Sequence, residues 1–526
     1  MKEFIAKFAD PLQGVLSGFD RLLLRGTLRA ICYPRGMMGY LNGAGILLKD
    51  FRRHVVMVSE RLKAAAQAQA TRLGRTVLYL ASSQLRKEEV ARALAARQGI
   101  SSGLVCVLSC VEPCWSYSVR RNPEARRLEL VGEPRKCLHL YHYLLHPRFG
   151  FMHLRLQTWF PFTVQVCLNG REWLARQMDA AQLAYRRQDN CFPWVEDFAR
   201  AQQLLDTQRR VPWPTVLNAL VKEWYPWHAQ IFAACPLSYY WSTRQSEWAT
   251  DLVFRDSATL RRLYPRLVHH GLTSFSSRDV MRFLGRTLPS SGGVPKRFRG
   301  EVISDLQERA EGIRIKHQVN QNSLKLYDKA YTPQGSVLRA EVTLNHAEEF
   351  WVYRRKEGDP QGRKQWRVLR RGMADFPRRA QVCQQINERY LTALAQVDDD
   401  TTLEELTRPL QQPQRWHGQR VRALHPFSRE DRAWLQAVNR GEFILNGFRN
   451  RDLQRLFFPQ ATSDSSEQRR RSAWVSRKLR LLRAHGLIRK VAGAHRYHVT
   501  PYGRKAITAI LAAQQATINQ LIPKAA

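Results

Sequence analysis

The sequence predicts an α+β protein of several domains, and three observations support this fold class. Apolar residues make up 44% of the 526 residues and aromatic residues 10%, which is enough for ordinary hydrophobic cores and excludes wholesale disorder. The hydrophobic pattern changes along the chain between the period of helices and that of strands. Two distant segments also repeat one another. At roughly 150 residues per domain, the length predicts three or four domains.

The first part of the chain predicts alternating helices and strands. Residues 51–74 have a helical composition and end at a glycine, and residues 87–99 begin with acids and also end at a glycine. Short apolar runs at 77–80 and 103–111 predict two buried strands. We therefore expect a mixed α/β domain at the N-terminal end.

From about residue 115 to 170 the pattern alternates with a period of two, which predicts an antiparallel meander. His153, Arg155 and Gln157 alternate with apolar neighbours and share one face of a predicted strand. An open polar face of this kind binds the bases of single strands or RNA in several modules, whereas the simpler interpretation is a sheet with one solvated side. A Trp-rich helical region is expected to follow, up to about residue 270.

The repeat is the most informative feature of the second half. Phe275–Leu284 and Phe448–Phe457 share the pattern F-x-[SN]-R-D-[VL]-x-R-[FL]-[LF], and residues 309–316 match residues 483–490. The two matches are separated by 173 and 174 residues, so one insertion or deletion relates the copies. Two matches in order at nearly one offset indicate a duplicated module.

Each copy predicts the same order of elements. Ser277 or Asn450 is expected to cap a short helix, and Gly312 or Gly486 to end a second helix. An apolar strand, a turn and a returning strand follow. Helix, helix, glycine and a two-stranded wing is the order of a winged helix.

Residues 441–515 resemble the winged-helix DNA-binding superfamily, including its regulator branches. The resemblance implies that the helix at 467–485 enters the major groove, while Trp474, Leu479 and Leu482 pack inward. The residues implied to face phosphates and bases are Arg470, Arg471, Ser476, Arg477, Lys478 and Arg480 on the helix and Lys490, His495 and Arg496 on the wing. Winged helices also serve as protein-contact modules, but the density of cations on this helix favours DNA.

The first copy, 271–327, is a weaker candidate for groove binding. Its expected second helix carries Glu301, Asp305, Glu308 and Glu311, which phosphates would repel. This copy is therefore either a second DNA-binding module or a structural duplicate.

One segment raises the possibility of catalysis. The run from Lys325 to Lys329, followed by Leu338-Arg339-Ala-Glu341, resembles a strand pair of rolling-circle replication initiators. The resemblance implies Asp328 and Glu341 as ligands of Mg²⁺ or Mn²⁺ and Tyr390 as the nucleophile. The family's His-hydrophobic-His pair is absent, and Tyr390 continues an apolar helical series that favours a core position.

Four further carboxylates, Asp20, Glu112, Glu247 and Asp251, would form a two-metal nuclease or transposase centre if they met in space. The simpler interpretation makes each of them an ion-pair partner. Cysteines at four-residue spacing invite a zinc hypothesis, but Cys106 and Cys110 stand in an apolar strand without a turn, which favours buried free thiols.

The formal net charge of +39 points to a polyanionic partner, and nucleic acid comes ahead of an anionic membrane. No run of apolar residues approaches the length that is needed to span a membrane. The first 21 residues lack the apolar core of a signal peptide, so a cytoplasmic location is expected. The Walker A, dinucleotide-binding, zincin and serine-hydrolase patterns are absent from the sequence.

These observations predict a nucleic-acid-binding protein that binds duplex DNA through its C-terminal winged helix. It is also expected to bind a longer DNA or RNA through a basic N-terminal sheet. The alternative is a metal-dependent DNA strand-nicking or strand-transfer enzyme of a mobile element or replication initiator. The oligomeric state is left open. The expected domains are a mixed α/β domain (1–205), a helical connector (206–270), a first winged-helix-like module (271–330), a β extension with helix and linker (331–414) and a C-terminal DNA-binding domain (415–526).

Overall fold

The computed structural model shows a mixed α/β protein with one large sheet. It describes residues 1–285, 301–309, 312–329, 337–356, 358–359, 361–397, 402–439, 443, 447–460, 462–491 and 494–515. The chain divides into two compact units. Unit 1 comprises Met1–Val268 and Asp305–Ala395, and unit 2 comprises His269–Ser304 and Gln396–Ala526.

Unit 1 is built around a sheet of 11 strands in the order β10-β11-β12-β13-β9-β1-β6-β5-β4-β3-β2. These strands are β1 Leu12–Thr27, β2 Thr76–Leu80, β3 Gly103–Asn122, β4 Arg127–His146, β5 Gly150–Gln157, β6 Val164–Asn169, β9 Tyr240–Phe254, β10 Val302–Arg309, β11 Gly312–Val319, β12 Asn322–Asp328 and β13 Val337–Leu344. Two hairpins accompany the sheet: β7 Tyr185–Gln188 with β8 Cys191–Val195, and β14 Trp351–Arg354 with β15 Gln365–Val368.

The helices of unit 1 cover the sheet. They are α1 Lys2–Lys7, α2 Pro34–Gly43, α3 Phe51–Arg72, α4 Lys87–Arg97, α5 Gly170–Ala180, α6 Phe198–Asp206, α7 Trp213–Trp224, α8 His228–Ile231, α9 Ser257–Thr273, which continues into unit 2, and α11 Phe376–Leu394. Helix α11 packs on the centre of the sheet, where Asn387 donates hydrogen bonds to Thr250 and to the Ala340 carbonyl. Strand residues alternate between the two faces, so this packing leaves the other face of β9 and β13 for polar side chains.

Unit 2 is helical with small sheets. Its further helices are α10 Ser277–Phe283, α12 Leu403–Thr407, α13 Arg429–Val438, α14 Asn450–Phe457, α15 Ser465–Ala484 and α16 Pro501–Gln515. Its strands are β16 Gln414–Trp416, β17 Gln419–Val421, β18 Phe448–Arg449, β19 Ile488–Lys490 and β20 Arg496–Val499, the last three forming a sheet in the order β18-β20-β19.

The duplicated pattern forms equivalent helix starts in α10 and α14. Asp279 accepts a hydrogen bond from the Ser276 backbone at 3.0 Å, and Asp452 accepts one from the Arg449 backbone at 2.8 Å. The cap residues are Ser276 and Arg449, one position before the expected Ser277 and Asn450, because the aspartate of each copy reaches back three residues.

The antiparallel meander expected between residues 115 and 170 is confirmed, because β3, β4, β5 and β6 pair in sequence. The expected inward packing on the C-terminal helix is also confirmed. Trp474 lies 5.0 Å from the Trp434 ring, Leu479 and Leu482 are buried, and Gly486 ends the helix with a φ of 70°.

Two expectations about secondary structure need correction. The Trp-rich region expected to be helical contains the helices α6 to α9 but also the strand β9, because that segment pairs with β1 on one side and β13 on the other. The second helix expected around Asp305 and Glu308 is the strand β10, because this segment joins the edge of the large sheet and pairing overrides its helical composition. Glu311 lies outside the described residues, and Gly312 begins β11 instead of ending a helix.

The large sheet also joins strands from segments that the sequence analysis treats as separate domains. Strand β9 comes from the expected connector, β10 to β12 from the expected first module and β13 from the expected β extension. Among the described residues, no helix combines the length and apolar character that crossing a membrane requires.

Candidate metal centre

Three carboxylates meet on three neighbouring strands at the centre of the sheet. Asp20 stands on β1, Glu247 on β9 and Glu341 on β13, and one oxygen from each lies within 4.8 Å of the others. We call this group the acidic triad. Asp20 and Glu341 are buried, and Glu247 is partly exposed.

Strand register explains why these residues converge. Glu247 pairs with Arg21 on β1 and with Thr343 on β13, and Glu341 pairs with Ala249. The register of β1 against β9 shifts between Phe19 and Arg21, so Asp20 is the extra residue of a β-bulge. The bulge breaks the alternation of faces, and consecutive Asp20 and Arg21 both line the same cavity.

The triad lies in a cavity of about 450 Å³ with a largely charged lining. The cavity residues include seven cations against five carboxylates, so the surroundings of the triad are basic. The cations are Arg21, Arg92, Arg187, Arg314, Lys325, Lys329 and Arg339, and the carboxylates are Asp20, Glu88, Asp189, Glu247 and Glu341.

Neighbours on β12 and β13 hold Glu341 ionised. The Lys325 ammonium donates to Glu341 at 2.7 Å, and the Tyr327 hydroxyl donates to its other oxygen. Burial opposes ionisation, but Lys325 and Arg339 outweigh it and lower the pKa of Glu341 to about 2.

The pKa values of the other two triad carboxylates are shifted upward. Burial, reinforced by repulsion from Glu341, raises the pKa of Glu247 to about 7. Burial also raises the pKa of Asp20, although Arg339 opposes the shift. Carboxylates packed this closely repel one another, as the raised pKa of Glu247 shows, and a divalent cation bound between their oxygens would relieve that repulsion. Oxygen ligands of this kind suit Mg²⁺ or Mn²⁺, so the residues fit such an ion.

A buried network of ion pairs and hydrogen bonds contacts the triad through Asp20. Arg339 donates to both carboxylate oxygens of Asp251 at 2.5 and 2.8 Å and to Asp20 at 3.2 Å. Arg171 donates to Asp251 at 2.8 Å, and Asn190 donates to Asp20 at 2.6 Å. These contacts fix the position of the Asp20 carboxylate.

The structure brings together part of each carboxylate set named from the sequence. Asp20 and Glu247 belong to the triad, whereas Asp251 is the partner of Arg171 and Arg339, and Glu112 pairs with Lys87 and Arg155 elsewhere on the sheet. Of the pair Asp328 and Glu341, only Glu341 belongs to the triad. Asp328 follows Tyr327 on β12 and therefore points to the opposite face of the sheet.

The structure places Tyr390 away from the triad. Its ring is fully buried in α11, where its hydroxyl lies 3.1 Å from His317 on the helix-covered face of the sheet. This position matches the core interpretation of the helical pattern.

The face expected from His153, Arg155 and Gln157 is mostly internal. His153 lines the cavity, and burial lowers its pKa to about 3. Arg155 lies 2.7 Å from Glu112, and Gln157 is buried and donates to the carbonyls of Trp115 and Phe160. Cys106 and Cys110 are buried free thiols in β3, as expected.

The cations expected on the C-terminal helix divide into two groups. Arg470 and Arg471 pair with Glu467, and Lys478 pairs with Glu430 at 2.5 Å. The second group, Arg477 and Arg480 on α15 and Lys490 and His495 on the wing, is exposed and has no ion-pair partner among the described residues. Ser476 is exposed and accepts a hydrogen bond from Asn450, and Arg496 is half-buried.

The sequence analysis named Lys325, Tyr327 and Arg339 in the segment that resembles rolling-circle initiators but gave them no role in the site. Lys325 and Tyr327 on β12, like Arg339 and Glu341 on β13, stand two positions apart and therefore share a face, which is a signal that alternation alone could have revealed. Arg92 and Arg187 come from distant segments and carry no such signal. Comparisons with protein-family models, curated proteins and solved structures found no match to this chain.

Proposed function

We propose that the chain is a divalent-metal-dependent enzyme that cleaves or transfers phosphodiester strands of nucleic acid. The acidic triad carries this proposal, because its three oxygens lie within 4.8 Å of one another in a cavity rich in Lys and Arg. The net charge of +39 makes nucleic acid the natural substrate. The geometry therefore favours the catalytic alternative over binding alone.

The cavity divides the chemistry between two kinds of residue. Asp20, Glu247 and Glu341 would hold Mg²⁺ or Mn²⁺, which polarises a phosphoryl oxygen and activates the attacking hydroxyl when bound. Arg314 and Lys329 line the same cavity and would bind the substrate phosphates. In each turnover, the oxygen of a water molecule or of a nucleic acid 3′ hydroxyl loses its proton to solvent and forms a bond to phosphorus. The bond to the leaving sugar oxygen breaks, and that oxygen takes up a proton.

A nicking assay tests the catalytic proposal. Supercoiled plasmid and circular single-stranded DNA are incubated with Mg²⁺ or Mn²⁺ and either wild type, Glu247→Gln or Glu341→Gln. We expect metal-dependent cleavage by wild type and a loss of roughly 100-fold or more in both variants, since ligand removal costs more than the loss of an outer-shell partner.

Glu112→Gln is the matched control, because Glu112 is also a half-buried, ion-paired carboxylate of the sheet but lies outside the triad. Thermal melting checks that all the variants fold. Cleavage that persists in EDTA, or that is equal in wild type and Glu247→Gln, contradicts the proposal.

We further propose that unit 2 binds duplex DNA through α15 and the β19–β20 wing, in the manner of a winged helix. The exposed group of Arg477, Arg480, Lys490 and His495 supports this second function, since none of the four has an ion-pair partner among the described residues. The inward apolar face of α15 leaves these residues on the solvent side.

The salt dependence of binding tests this interface. Affinity of the full chain for a 30-base-pair duplex is measured in EDTA at several salt concentrations. Arg477→Ala/Arg480→Ala is expected to weaken binding and to reduce the slope of log K against log salt by about 2. Arg120→Ala/Arg127→Ala removes the same charge from exposed sites of unit 1 and is expected to change neither quantity appreciably. An unchanged slope in the first variant would falsify the interface.

A further inference from the structure

The β14–β15 hairpin presents an aromatic surface to solvent. Its register pairs Trp351 with Val368 and Tyr353 with Trp366, so these four side chains share one face. The side chains of Trp351, Tyr353 and Trp366 are 60%, 58% and 66% exposed. The rings of Tyr353 and Trp366 lie 5.7 Å apart.

The opposite face of the hairpin anchors it to unit 1. Val352 and Leu369 are buried, and the Arg354 guanidinium lies 3.3 Å from Asp375, which is also buried. The three exposed rings therefore belong to an ordered hairpin and are not needed for its core. Large exposed aromatic side chains grouped on one face indicate a binding surface.

The charge of the hairpin identifies the kind of ligand. Residues 351–371 contain eight cations against the two acids Glu357 and Asp359. Arg354, Arg370 and Arg371 pair with Asp375 or Glu348, and the other five cations are Arg355, Lys356, Arg363, Lys364 and Arg367. A groove of about 630 Å³ brings the two groups together, since Trp351 and Trp366 line it beside Lys356 and Arg367. Aromatic rings beside cations match the bases and phosphates of a single strand.

We propose that this hairpin is a stacking platform for single-stranded nucleic acid, in which unpaired bases stack on Trp351, Tyr353 and Trp366 while the neighbouring cations hold the phosphates. Bases within a duplex are already stacked on one another, so the platform selects unpaired strands. Stacking is tolerant of sequence because every base offers a flat face.

The hairpin is connected to the strands that carry the triad. It follows β13, which bears Glu341. The chain after β15 is held to β9 by a hydrogen bond of 2.8 Å, which the backbone N–H of Thr243 donates to the Arg371 carbonyl. Strand β9 bears Glu247. This inference deepens the proposed function, and it rests on that proposal for the identity of the ligand as nucleic acid.

Binding of short single strands tests the platform. Fluorescence anisotropy in EDTA measures the affinity of the full chain for labelled 20-nucleotide oligo(dT) and oligo(U). Comparison of the two affinities distinguishes a preference for DNA from a preference for RNA. Trp351→Ala and Trp366→Ala are each expected to weaken binding to at least one of the two oligonucleotides by roughly 10-fold. Trp366→Phe keeps a ring and is expected to retain most of the affinity.

Tyr79→Ala is the control, because Tyr79 is 57% exposed on β2 of the same unit but lies outside the hairpin. It is expected to bind both strands as wild type does. The proposal is overturned if Trp351→Ala/Trp366→Ala binds both oligonucleotides with unchanged affinity, or if Tyr79→Ala weakens binding equally.

The triad variant Glu247→Gln separates this inference from the proposed function. It is expected to lose cleavage while binding oligo(dT) or oligo(U) as tightly as wild type. If wild type shows no metal-dependent cleavage but Trp366→Ala still weakens binding, the platform stands and the catalytic proposal fails. If cleavage occurs but the tryptophan variants bind normally, the platform alone fails.

Discussion

Arg339 shows at the scale of one residue how the triad is kept in place. Its guanidinium is fully buried and contacts two carboxylates, with two hydrogen bonds to Asp251 and one to Asp20. The planar fork of an arginine matches the two oxygens of Asp251, and its remaining donor reaches across to Asp20. One side chain on β13 therefore connects all three strands of the metal centre.

Removal of Arg339 is expected to destabilise unit 1 strongly. Arg339→Leu leaves Asp20 and Asp251 buried with less countercharge, which costs about 3–5 kcal/mol of unfolding free energy. Arg339→Lys keeps the charge but loses the fork, so a smaller loss is expected. Urea denaturation of the full chain measures both values. Arg120→Leu, which removes an exposed arginine paired with Glu133, is expected to cost at most about 1 kcal/mol, and an equal loss in both leucine variants would contradict this role.

At the scale of elements, the bulge of β1 and the start of α5 together shape the site. Gly170 is the first residue of α5, and a side chain there would collide with the Phe19 carbonyl, directly before the bulged Asp20. Asn169 caps the helix by accepting hydrogen bonds from the backbones of Arg171 and Glu172. The helix can therefore approach β1 closely, and this approach positions Arg171 beside Asp251.

Gly170→Ala is expected to disturb this contact. Because the neighbouring atoms are backbone and cannot move aside like a flexible side chain, we expect a loss of about 1–3 kcal/mol of unfolding free energy together with weaker metal-dependent cleavage. Gly39→Ala is the control, since it lies within helix α2 with open space around it and should be neutral or stabilising by up to about 1 kcal/mol. Thermal denaturation and the nicking assay measure the two effects. Equal melting temperatures for the two variants would show that the α5 contact is not tight.

At the scale of the whole molecule, the sequence predicts local structure better than assembly. Hydrophobic period and glycine positions suffice for α3, the meander and the end of α15, because these depend on neighbours along the chain. The conformation of β9 depends on β1 and β13, which are both more than 50 residues away, and β10 forms a strand because it joins the edge of the same sheet beside β11, so the composition of these two segments misleads. The same limit applies to the site. Asp20, Glu247 and Glu341 are each suggested by the sequence, but under different hypotheses, because nothing local shows that they meet.

Part of the net charge of +39 can be attributed to particular groups of residues in each unit. In unit 1, cations surround the triad and cover the β14–β15 hairpin. In unit 2, several cations of α15 pair with Glu467, Glu430 and Asp431, whereas Arg477 and Arg480 on its predicted groove face are exposed and have no ion-pair partner among the described residues. Charge counted from the sequence therefore overstates the number of side chains that α15 offers to DNA.

The division of the chain into interleaved segments has a consequence for biosynthesis. Each unit is made of two separate stretches, so the chain passes between the units three times. Arg339 and Asp20 are hydrogen-bonded across 319 positions of sequence, and β9 is missing its β13 neighbour until most of the chain has left the ribosome. The nascent protein must therefore keep one open edge of β9 protected until β13 has been synthesised. A prematurely terminated chain would expose that strand edge and lack Glu341, so it would be inactive and prone to aggregation.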